Sequence, residues 1–124
     1  MSRQNSVQAV SDMGEFVDTA FQVAYQDPSK KISIDFGVNC FSRTARTPRA
    51  VVYSEDGSPC LVYFGESVDV RDMSGIRNLL PSAMDSFKAE ATRLGLLSDG
   101  SKIRRGGSKL YLRVPELDRV SISE

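Results

Sequence analysis

The sequence predicts an α+β fold: a single-layer antiparallel sheet of about five to six strands, covered on one face by an N-terminal helix and a later helix. Three observations lead there. Ile32, Ile34, Phe36, Val38 and Cys40 alternate with Ser33, Asp35, Gly37 and Asn39, the period of two that marks a strand with one buried and one wet face. Apolar stretches at 50–54 and 60–65 flank Glu55-Asp56-Gly57-Ser58-Pro59, the pattern of a hairpin with a turn-rich loop. On either side of this strand-rich centre, apolar residues recur at helical spacing.

The elements follow in order. Over residues 6–26, Val10, Met13, Phe16, Val17, Ala20, Phe21 and Ala24 trace one apolar stripe of a helix. Asn5 or Ser6 is placed to cap it, and Asp27-Pro28 to stop it. The strand at 31–41 comes next, then the hairpin, then a short strand in which Val68 and Val70 alternate with Asp69 and Arg71. A loop at 72–75 leads into a helical turn through Ile76, Leu79 and Leu80. Pro81 suits a first helical turn, and Ser82 with Asp85 has the spacing of a capping box. That helix buries Met84, Phe87, Ala91 and Leu94, with Gly95 as a left-handed cap and Leu96 as its apolar contact. Residues 102–114 read as a second hairpin turning at Gly106-Gly107, and Val120 with Ile122 as an edge strand.

At 124 residues, with 40% apolar and 26% charged side chains, the whole chain, 1–124, reads as one folded domain with a core of its own. There is no histidine, which excludes Ser-His and Cys-His nucleophiles and histidine metal ligands. The two cysteines cannot build a four-cysteine zinc site. Both read as buried structural thiols, and a Cys40–Cys60 bridge stays open if their strands are neighbours. The first residues are polar and no apolar stretch exceeds five residues. The expectation is a reduced, cytoplasmic protein with no membrane span.

Net charge is zero, yet the charges come in blocks. Residues 29–50 hold five bases and one acid, and residues 76–113 hold eight and three. Two basic segments follow. The hairpin carries Lys102, Arg104, Arg105, Lys109 and Arg113, with Tyr111 on the same side as Lys109 and Arg113. Arginine forks match phosphate oxygens, glycines allow close backbone approach and a tyrosine ring stacks on a base. Coming after a short helix, a turn and a longer helix, this C-terminal third resembles the wing of a winged helix–turn–helix, which implies DNA contact by the hairpin. The exposed side of the preceding helix is balanced in charge, which argues against reading a major groove. The second segment, residues 42–49, reads as a loop with Arg43, Arg46 and Arg49 and no acid, suited to phosphates or an acidic partner. The plainer alternatives are a solvated loop and a charged hairpin that keeps a sheet edge from pairing with other chains.

Glu66, Asp69 and Asp72 form an acidic cluster with the chemistry of a Mg²⁺ site. No lysine follows an acid at the spacing that nuclease hairpins use, and the cluster also reads as solvated surface. Tyr53, Tyr63 and Phe41 read as exposed-side aromatics that suit a partner or a homodimer if one sheet face is uncovered. The sequence therefore points to a small non-enzymatic protein that binds nucleic acid or regulates through it, with no cofactor and no metal site. The alternative is a protein-interaction module (inhibitor, adaptor or assembly subunit) working through charge-segregated faces. A metal-dependent hydrolase using Asp69 and Asp72 ranks below both.

Overall fold

The computed structural model describes residues 7–26, 31–54, 56–97 and 101–115. The fold is α+β. Its strands are β1 (Gln8–Val10), β2 (Ile32–Asn39), β3 (Ala45–Tyr53), β4 (Pro59–Phe64), β5 (Val68–Asp69), β6 (Lys102–Gly106) and β7 (Lys109–Arg113). Its helices are α1 (Met13–Gln26), α2 (Met73–Arg77) and α3 (Leu79–Arg93). The sheet runs β1-β4-β3-β2-β7-β6, with β5 pairing the far end of β3. Every neighbouring pair is antiparallel except β1 with β4. The sheet is thus mixed and has seven strands, more than the pattern alone predicts.

The helices α1 and α3 cover one face. Ile32, Ile34 and Phe36 of β2, Ala50 and Val52 of β3, Leu61 of β4, and Leu110 and Leu112 of β7 point into it and are buried. The helices supply Phe16, Val17, Ala20, Phe21, Met84, Phe87 and Ala91. Phe87 packs edge-on to Phe16 at 6.0 Å between centroids and stacks against Phe21 at 6.4 Å.

Several sequence expectations change. The first helix starts at Met13, not near residue 6, because residues 8–10 pair with Leu61–Tyr63 and bury Val10. Asp12 caps it, accepting from the Glu15 amide at 2.9 Å. Asn5, Ser6, Asp27, Pro28, Val120 and Ile122 lie outside the described residues. Cys40 falls just past β2 and is exposed, and Cys60 is half-buried; both are free. Ser82 lies inside α3, its amide bonded to Asn78 O, so it caps nothing. Asp72 instead caps α2 through the Gly75 amide at 2.9 Å. Gly95 does take a left-handed conformation, φ 70°, and the Leu96 amide returns to Ala91 O at 3.0 Å. That turn packs Leu96 on the core, while Leu94 is left 38% exposed. Tyr63 points into the core against Phe16 at 5.5 Å, opposite to the exposed side expected for it.

Phe87→Ala should cost about 3–5 kcal/mol in urea denaturation, because it empties the centre of the core. Phe41→Ala, at a side chain 68% exposed, should change stability by about 0.5 kcal/mol or less.

Candidate functional site: a basic groove on the open sheet face

Strand alternation decides what the uncovered face displays. On β7, burial of Leu110 and Leu112 turns Lys109, Tyr111 and Arg113 to the other side. The hairpin closes through Gly107 and Ser108, and Gly107 has φ 62°, a conformation glycine adopts without a Cβ penalty. That two-residue turn sets the register. Lys102 lies opposite Arg113 and Arg104 opposite Tyr111, so both share the open side. The hairpin does not project as a wing: β7 pairs with β2 over four residues and extends the central sheet.

Pairing of β7 with β2 adds Ser33 and Asp35 from the wet side of β2 and Lys31 just before it, and β3 adds Tyr53. Together with Ser54 and Gly57 of the β3–β4 turn, these residues line a groove of about 890 Å³. Five cations converge here: Lys31, Lys102, Arg104, Lys109 and Arg113. No described carboxylate lies within ion-pairing distance of any of them; the ion pairs among the described residues are Arg71–Asp69 and Arg93–Glu90. Asp35 is the groove's one described carboxylate. Tyr111, Ser33 and Tyr53 stand in one row across three strands, which sets the tyrosines about 10 Å apart. The Lys31 ammonium lies 5.4 Å from the centre of the Tyr111 ring, in cation–π range.

The other basic positions separate. Arg105 lies opposite Leu110, on the helix-covered side of the edge strand, and its Nε donates to Gly107 O at 3.3 Å. Residues 45–49, read as loop, belong to β3, so their arginines split between faces. Arg43 is exposed on the bend before β3. Arg46 donates to the carbonyls of Ser42 and Ala45 and lies opposite Val68. Arg49 shares the open face, where its Nη1 donates to Asn39 Oδ1 at 2.8 Å. The structure therefore gathers Lys102, Arg104, Lys109, Tyr111 and Arg113 and leaves Arg43, Arg46 and Arg105 elsewhere. Lys31 and Asp35 were missed as site residues. Their odd-numbered positions, in line with the wet side of β2, carried the signal.

The acidic cluster is occupied with local work. Asp69 takes a two-pronged contact from Arg71, which lowers its pKa, and Asp72 caps α2. A second groove, of about 760 Å³, lies beside α3 and contains Glu66 and no described cation. Burial, and then the Asp56 charge, push the Cys60 thiol up.

Hydrogen bonds from the hydroxyls of Ser58 and Ser54 hold the exposed Asp56 carboxyl down to about 2. A lowered folded-state pKa adds stability above the ordinary carboxylate value and loses it as pH falls. Thermal midpoints should therefore drop between about pH 4 and 2, and Asp56→Ala should flatten that drop while leaving the curves parallel above it. Thiol titration of the folded protein should modify Cys40 rapidly, and Cys60 more slowly until denaturant is added.

No helix among the described residues is long and apolar enough to cross a membrane. Comparison of the chain with protein-family models, with curated proteins and with solved structures finds no match.

Proposed function

We propose that this chain binds nucleic acid, without catalysing a reaction on it, through the groove of Lys31, Lys102, Arg104, Lys109 and Arg113. One observation carries the reading: five cations, none in an ion pair with a described carboxylate, meet in one groove beside two tyrosines. Like charges held together repel, and a phosphate chain relieves that repulsion while releasing its own counterions. Arginine forks suit phosphate oxygens, and tyrosine rings add contact area that tolerates any base. Zero net charge fits a local patch rather than a coat spread over the whole surface.

Phosphate contact of this kind is salt-dependent. In a salt series with labelled oligonucleotides, affinity should fall as salt rises. Arg104→Ala should weaken binding about tenfold and lower the salt slope by about 0.7 on single strands. Arg105→Ala, on the other face, should change it little. Equal effects of the two substitutions, or binding indifferent to salt, would sink the groove as the contact.

A second reading, the protein-interaction module, draws support from the exposed ring of Phe41, 5.5 Å from Phe64. Retention of a protein partner after nuclease treatment, with oligonucleotides failing to bind, would favour it.

A further inference from the structure

The groove occupies one end of the open face, and a second feature stands at the other end. Arg49 lies four residues along β3 from Tyr53 on the same side, about 13 Å away. Its guanidinium is seated on the adjacent strand. A Cβ on Gly37 would fall 2.5 Å from Nη2, so a side chain there would push the guanidinium aside. Asn39 holds Nη1, while Nε is buried with no hydrogen-bond partner. Nη2, unlike Nε, is not buried and has no hydrogen-bond partner, so an arginine held by Asn39 keeps a donor for an acceptor that approaches from the open side. Phe64 lies opposite Arg49 on β4 and meets the exposed Phe41 ring edge-on. Between the two ends lie Val51, which is buried, and the half-buried Val62 opposite it.

Resting on the groove reading above, we infer that the ligand is a single-stranded nucleic acid of about five nucleotides or more, lying across the open sheet face from the basic groove to Arg49 and Phe41. Stacked nucleotides advance about 3.4 Å per residue of strand, so a dinucleotide cannot reach both ends, whereas the four steps of about five nucleotides can. Tyr53, Tyr111 and Phe41 offer ring faces only to bases that are not already paired within a duplex. The phosphate chain supplies an ion-pair partner that no described carboxylate gives the groove cations or Arg49.

The test uses the full chain and labelled oligothymidylates of two, four and eight nucleotides, an eight-pair duplex and polyglutamate. Affinity should rise at least tenfold from two to eight nucleotides, and the single strand should outbind the duplex by at least tenfold. Arg49→Ala and Phe41→Ala should each weaken the eight-nucleotide strand severalfold and leave the dinucleotide unchanged, whereas Arg104→Ala should weaken both. Tyrosine emission, free of interference because the chain has no tryptophan, should be quenched by the strand and not by polyglutamate. Circular dichroism of Arg49→Ala checks that it folds, and Phe41→Ala carries the same test at an exposed position. If dinucleotide and octanucleotide bind alike while Arg104→Ala weakens both, the extended path is wrong and the groove reading stands. Duplex binding as tight as the single strand has the same consequence. If no oligonucleotide binds, or polyglutamate binds as well, both readings fall.

Discussion

Phe87 meets Phe16 edge-on and Phe21 face to face, and through that contact α1 and α3 are held to the same side of the sheet. A sheet has two faces, and the three rings decide which is dry. Once β2 and β7 turn Ile34, Leu110 and Leu112 toward the rings, alternation leaves Asp35, Lys109 and Tyr111 no choice but the other side. Core packing thus presents the charged face.

The same constraint explains how a chain of zero net charge can hold a concentrated positive surface. The two basic stretches of the sequence are far apart along the chain. Antiparallel pairing of β2 with β7 brings Lys31 of the first beside Lys109, Tyr111 and Arg113 of the second. Asp35 lies in the groove, and other described acids are engaged locally: Asp12 and Asp72 on helix starts, Asp56 on a turn, Asp69 and Glu90 on neighbouring arginines. With those carboxylates engaged at short range, none of the groove cations forms an ion pair with a described carboxylate. That arrangement, in a concave site with ring faces beside it, underlies the proposed affinity for a phosphate chain.

Much of this was legible residue by residue. The alternation of Ile32 to Asn39, the second hairpin (its turn one residue later than expected, at Gly107-Ser108, with Gly106 opposite Lys109), the apolar stripe of α1 and the Gly95 cap all arise from interactions only a few residues long. Local chemistry is sufficient for such features. The misreadings have a common origin in longer-range pairing. The first residues before Met13 carry a helical apolar spacing, yet β4 offers them a parallel partner and they become β1. Residues 45–49 look like an arginine loop, yet they pair with β2 and β5 and become strand. Tyr63 looks exposed beside Tyr53. A register irregularity between Val52 and Tyr53 shifts the pairing at that end of the strand, and Tyr63 packs against Phe16.

By itself the sequence determined the fold class, the position of most elements, the absence of histidine chemistry and the clustering of Lys102, Arg104, Lys109, Tyr111 and Arg113 on one hairpin. Each of these depends on composition or on neighbours within a strand or turn. Only the tertiary structure decided that the hairpin joins β2, that Lys31 and Tyr53 complete a groove with it, and that Arg49 shares its face while Arg46 and Arg105 do not. Those outcomes depend on which strands pair, in what register, and which face the helices cover. Such choices are made by burial of the whole apolar surface at once, so no single segment carries them.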